Sequence, residues 1–236
     1  MGCAPTGAII AAPTTSLPEA PSGGRNWDYR FCWVRDATLT LAALLDVGHA
    51  RVASGFKLFI ERATAGHAED LQIVYGCYGE RLEAAHLWRR AGTPITKDGW
   101  RFLCGLVEAA CARWKEPDRG LWEVRGPPRH FVHSKVMCWV AVRRGIEAAE
   151  EGELPCDVDR WRAARDEMRA TIEREGVDPG RGCFVQAFGS TEVDASLLLL
   201  PMVGFVGASD PRMRRTGYLR VRDRQCGSPP YRSWSR

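Results

Sequence analysis

A chain of 236 residues with 45% hydrophobic and 26% charged content holds one good core or two small ones, and such a composition excludes disorder. Net charge is +4, yet residues 212–236 carry eight Arg against one Asp, so the body that precedes them is mildly acidic. No apolar run reaches the roughly 18 to 20 residues of a bilayer span, and the first residues lack a basic stretch followed by a long apolar one, so no membrane partner is expected and the expected compartment is the cytoplasm.

Residues 1–25 are dominated by Pro, Thr, Ser, Gly and Ala and read as an extended lead-in or linker. Its first six residues, Met1-Gly2-Cys3-Ala4-Pro5-Thr6, fit a myristoylation pattern too short to alter the reading. Asn26-Trp27-Asp28-Tyr29-Arg30-Phe31-Cys32-Trp33-Val34-Arg35-Asp36 follows, with two Trp, a Tyr, two Arg and two Asp ahead of an apolar segment. That mixture suits a sugar. Aromatic faces cover the C–H side of a pyranose, while carboxylates and guanidinium groups hydrogen-bond its hydroxyls. The plain alternative is a helix entry in which Asp36 lies in the first turn and the aromatics are core.

Residues 37–47 are apolar nearly all round, as in a helix buried between neighbours, and Gly48 stops it. Periodicity predicts further helices over 50–63, 80–90, 97–113, 133–150, 158–173 and 193–205, with Asp98 and either Asp157 or Asp159 as starts. Strand signals are few. Between two of these helices, Arg119-Gly120-Leu121-Trp122-Glu123-Val124-Arg125-Gly126-Pro127-Pro128-Arg129 is a Gly/Pro-bounded loop carrying an aromatic and a carboxylate, a natural place for function. From 212 onward hydrophobic periodicity fades into an arginine-rich tail that reads as foreign to the fold. A basic tail alone would suit nucleic acid, but nothing else in the chain supports that partner, and none is expected.

Nine cysteines, at 3, 32, 77, 104, 111, 138, 156, 183 and 226, are scattered without a C-x-x-C pair, which disfavours a zinc site and a disulfide framework. His130 and His133 stand one helical turn apart without a third ligand at suitable spacing, so no metal is expected. Nucleotide-binding and serine-hydrolase motifs are absent from the sequence, and no organic cofactor is implied.

With Trp33-Val34-Arg35-Asp36 and Gly120-Leu121-Trp122-Glu123-Val124-Arg125-Gly126 both in view, the chain resembles glycoside hydrolase family 15, the glucoamylase-like and bacterial trehalase-like group. The likeness extends to Ala12-Pro13-Thr14-Thr15-Ser16-Leu17-Pro18, Leu71-Gln72-Ile73-Val74-Tyr75-Gly76, the block from His130 to Val140, and Asp194-Ala195-Ser196-Leu197-Leu198 with Pro201. It implies an all-α fold, part of a toroid of six α-helical hairpins, spanning residues 26–211. The implied activity is inverting hydrolysis of an α-glucoside such as an α-glucan, a maltooligosaccharide or trehalose. Glu123 looks like the family's general acid. Trp33, Arg35 and Asp36 look like the groups that hold the glucose unit, with Tyr29 packing nearby and Trp122 binding substrate beside the acid. A glycosidic oxygen leaves poorly, so it needs a proton from a carboxyl group still protonated near neutral pH. Trp122 would raise such a pKa, and Arg125 would lower it if turned inward.

Three departures stand beside the likeness. The family's second carboxylate lies in a Ser-Glu motif beyond the Asp194 helix and has no evident counterpart. Tyr78-Gly79-Glu80 follows the Leu71–Gly76 block almost at once, where relatives hold several tens of residues. The N-terminal sandwich domain is also absent. The expectation is therefore a family 15 chain truncated at both ends, and the alternative reading is a carbohydrate-binding fragment without catalysis.

Overall fold

The computed structural model describes residues 7–11, 32–49, 51, 52, 55, 56, 59, 85–87, 89, 95–122, 124, 126–152 and 155–225, without the side chains of 34, 35 and 219–225. Within these, α1 is Val34–Asp46, α2 Lys97–Arg113, α3 Val132–Gly152, α4 Val158–Glu175 and α5 Pro211–Gln225. Residues 51, 52, 55, 56, 59, 85–87 and 89 are also helical. The two strands, β1 Val177–Asp178 and β2 Cys183–Phe184, form one short antiparallel pair, and Ala195–Leu199 is a 3-10 helix.

Helix starts follow local chemistry. Thr96 caps α2, its hydroxyl accepting the Gly99 N–H at 3.1 Å, so Asp98 sits in the first turn rather than at the cap. Asp157 caps α4, accepting from Arg160 N at 3.1 Å, while Asp159 lies in the first turn and favours the positive helix end.

α3 is the central element, with buried residues on every side of its long axis, including Val136, Val140, Ala141, Ile146 and Ala149. It packs between α2 and α4. α3 and α4 pack together as neighbours, tied near their joined ends by an Arg162–Glu150 ion pair of 2.5 Å. Trp161 is 1% exposed, packs edge-on to Trp100 at 6.2 Å and donates its N–H to Glu108 at 2.8 Å, which joins α4 back to α2. At the other end, Phe205 meets Trp139 at 5.1 Å and Phe184 at 6.3 Å, with the Arg169 guanidinium over its ring at 4.9 Å. Burying these aromatics supplies a large share of the hydrophobic stabilisation, about 25 cal/mol per Å² removed from water.

Two expectations shift. The helix expected over 193–205 is a 3-10 turn of five residues followed by turns, because Pro201 has no N–H to continue the ladder and the chain folds back through Phe205 N to Leu200 O at 3.0 Å. The arginine-rich stretch also enters the fold. Met213 and Thr216 are buried, and Thr216 Oγ1 accepts the Phe184 N–H at 3.0 Å while donating to Arg212 O at 2.7 Å. The packed body thus continues past residue 212. Among the described residues no helix is long and apolar enough to cross a membrane.

Candidate active site

The loop between α2 and α3 is built as a closed module. Asp118 and Arg129 exchange backbone hydrogen bonds, both 2.8 Å, so its two ends are pinned side by side. Gly120 turns the chain at φ 71°, and a Cβ there would lie 2.9 Å from the Phe131 ring, so only glycine fits. Arg119 spans the interior, donating Nη1 to Gly126 O at 2.7 Å and to Val124 O at 3.3 Å.

Beneath the loop lies a buried polar node. Asp118 Oδ1 accepts from Gly120 N at 2.6 Å and from Ser134 Oγ at 2.7 Å, and Asp118 Oδ2 faces Lys135 Nζ at 3.4 Å. Lys135 also donates to the Glu116 carbonyl in the turn that follows α2. With Asp118 7% and Lys135 2% exposed, the pair is desolvated, and a buried pair is tolerable only where hydrogen bonds satisfy its remaining groups. It fixes the loop to α3 and to the turn that follows α2.

At the tip, Leu121 is buried while Trp122 is 57% exposed. The Trp122 indole N–H is shared between Asp194 Oδ1 at 2.9 Å and Oδ2 at 3.0 Å. Asp194 also accepts from Ser196 N at 2.8 Å, capping the 3-10 helix. Beside this tip is an apolar hollow of about 80 Å³. Thr38 and Leu39 of α1, Leu121 of the loop, His133 and Met137 of α3, and Met202 are among its walls. The hollow is therefore where the second and third turns of α1 meet the loop.

Trp33 is the N-cap residue of α1, half-buried and extended, with its carbonyl accepting Ala37 N at 2.8 Å. Asp36 stands half-buried in the first turn, its Oδ2 shielded from solvent, where a carboxylate favours the helix dipole. Arg35 lies between them in α1. Tyr29 and Glu123, like the Arg35 side chain, lie outside the described residues. His130 stacks on Phe188 at 5.8 Å, and burial followed by the nearby Lys135 charge lowers its pKa against the weaker opposing pull of Asp118, so the ring is neutral at pH 7. Among the described residues no three His, Cys, Asp or Glu side chains are grouped to hold a metal ion.

Asp118, Ser134, Lys135 and Asp194 were not singled out from the sequence as site residues. Asp194 carried a readable signal, an Asp immediately before Ala-Ser-Leu, which is an N-cap pattern. Lys135 carried a weaker one, a lysine inside the apolar run that opens α3.

The helical hairpins are those of a glycosidase fold. A solved glycosidase carrying a single substitution superposes with a TM-score of 0.74 at 21% identity, covering 92% of this chain and 65% of the other, and a wild-type glycosidase does so at 0.70 and 20%. The fold is thus all-α, part of an α/α toroid. The profile of glycosyl hydrolases family 15 matches residues 3–80 and 76–218, and the chain belongs to that family. Trehalase of Mycobacterium tuberculosis is similar at 39% identity over 90% of this chain and 37% of its own length. Trehalase of Mycolicibacterium smegmatis is similar at 40% over 90% and 38%, and trehalase of Thermoplasma acidophilum at 34% over 88% and 42%. The chain spans about two fifths of these relatives. Its two matched segments meet at residues 76–80, where Tyr78-Gly79-Glu80 follows the Leu71–Gly76 block.

Proposed function

We propose that this chain belongs to an inverting α-glucosidase and that trehalose is its preferred substrate, with maltooligosaccharides and α-glucans as the wider class. The observation that carries the substrate is the set of similar proteins named trehalase, aligned over about nine tenths of the chain. Glu123 is the proposed general acid, giving its proton to the glycosidic oxygen as the C–O bond breaks. Trp33, Arg35 and Asp36 hold the hydroxyls of the glucose unit, with Tyr29 and Trp122 against its apolar face, and Asp36 stabilises the oxocarbenium-like charge. What supports this grouping is the family match over both segments, together with a hollow lined by Thr38 and Leu39 of α1, close to Asp36 in sequence, and by Leu121, which precedes Trp122. An inverting reaction also requires a second carboxylate about 6.5 to 9.5 Å away to activate water, and we assign that role to no residue of this chain.

The proposed layout keeps residues 1–25 as lead-in and the toroid portion from 26, with the packed body running past 212 to include Met213 and Thr216. The proposed compartment is the cytoplasm, supported by free thiols at Cys32, Cys104, Cys111, Cys138, Cys156 and Cys183. Burial pushes Cys104 and Cys111 up to about 11, so both stay protonated and unreactive at neutral pH.

The test is proton NMR of the chain mixed separately with trehalose and maltotetraose, following the anomeric signals of released glucose. Inversion predicts initial release of β-glucose from the cleaved glucosyl unit, and Glu123→Gln is expected to lower the rate by about a hundredfold or more. A folded wild-type chain that binds trehalose without releasing glucose would support the non-catalytic, carbohydrate-binding reading instead.

A further inference from the structure

Trp122 differs from the other well-buried tryptophans of the chain. Trp100, Trp114, Trp139 and Trp161 are all at most 5% exposed and serve the core, whereas Trp122 is 57% exposed. A large aromatic left in water normally samples several rotamers. This one is held, because its N–H is shared by both oxygens of Asp194, a residue 72 positions away in sequence, at 2.9 and 3.0 Å. Neither end of the link is loose: Leu121 anchors the loop in the hollow, and Asp194 is fixed by Ser196 N at 2.8 Å. The bond consumes the polar edge of the indole and leaves its faces unspent.

We propose that Asp194 is a positioning residue that holds Trp122 as a rigid platform for the apolar face of a glucosyl unit. This rests on the glucoside reading above. The ring is ordered before sugar arrives, so binding does not have to restrict its rotamers, a saving that appears as affinity. A carboxylate is the right acceptor because a charge-assisted bond to an N–H is stronger than a neutral one and two oxygens tolerate small rocking of the ring.

The experiment separates the link from the helix cap. Asp194→Ser keeps an N-cap hydroxyl but is too short to reach the indole, and Trp122→Phe keeps a ring but removes the N–H. Trehalose and maltose affinities are measured for the wild-type chain, both variants, the double variant and Asp194→Asn, which retains the cap and one acceptor oxygen. Thermal melts and the indole N–H NMR signal that Trp122→Phe deletes are followed in parallel. The expected result is an Asp194→Ser chain that melts near wild type, shows faster exchange of that N–H, and binds trehalose about three- to tenfold more weakly. Asp194→Asn is expected to fall between, and adding Asp194→Ser to Trp122→Phe is expected to cost nothing further. Unchanged affinity in Asp194→Ser, or losses that add in the double variant, would overturn the positioning role and leave the glucoside reading standing. If Asp194→Ser does not fold, full wild-type affinity in Trp122→Phe overturns the role equally. A folded wild-type chain that binds neither sugar overturns the glucoside reading and this inference together.

Discussion

Lys135 keeps its ammonium group inside the fold, 2% exposed, against Asp118 Oδ2 at 3.4 Å and the Glu116 carbonyl. Removing one partner of such a pair strands the other charge in a poorly solvating interior. Lys135→Met is therefore expected to lower unfolding free energy by about 3 to 5 kcal/mol, read as a lower urea midpoint. This node was hardly legible in the sequence, because Asp118 and Lys135 are 17 positions apart and each alone looks like a surface charge. The residues that the sequence singles out, Trp33, Asp36, Trp122 and Glu123, belong to unusual local mixtures of aromatic and charged types. A local mixture of residue types draws the eye, whereas a contact made across 17 positions leaves no pattern.

At the scale of elements, α2 and α3 approach closely because α3 has a glycine at their crossing. A Cβ on Gly145 would sit 2.6 Å from Val107 Cγ2 and 3.4 Å from the Trp161 ring. Alanine would favour the helix by about 1 kcal/mol, while overpacking costs about 1 to 3 kcal/mol. Gly145→Ala is expected to destabilise the fold by about 1 kcal/mol, checked by urea unfolding. Helices were legible where periodicity was long: the boundaries expected for 97–113 match α2, and those for α3 and α4 fall within two residues. The segment at 193–205 was misjudged because an apolar run reads the same in a 3-10 turn, and the stop at Pro201 was outweighed by the leucines. α5 was missed since six arginines in fifteen residues hide the short apolar edge of Met213 and Thr216.

Across the whole molecule, carboxylates held by arginines set the response to acid. Burial alone would raise the Glu147 pKa, but the hydrogen bonds and charges of Arg144 and Arg143 together outweigh it and leave the carboxyl below its ordinary 4.5. Asp210 is lowered below 3.8, first by its hydrogen bond from Arg212. A depressed folded pKa contributes stability that is present above the unfolded value and is lost as pH falls through the folded one. The melting temperature is thus expected to fall between pH 5 and pH 3, and Glu147→Gln is expected to lie below wild type at pH 6 with the gap closing toward pH 3. The all-α class was legible from the many periodic segments and the scarcity of strand signals. The part of the toroid present was legible only through family motifs, since no local pattern encodes how hairpins close into a ring. Because Asp118 and Arg129 clasp each other and the node below ties them to α3 and to the turn after α2, the loop is held at its two ends independently of what lies between them. Substitutions between the two clasped ends can therefore change what the loop presents while leaving the helices that display it untouched.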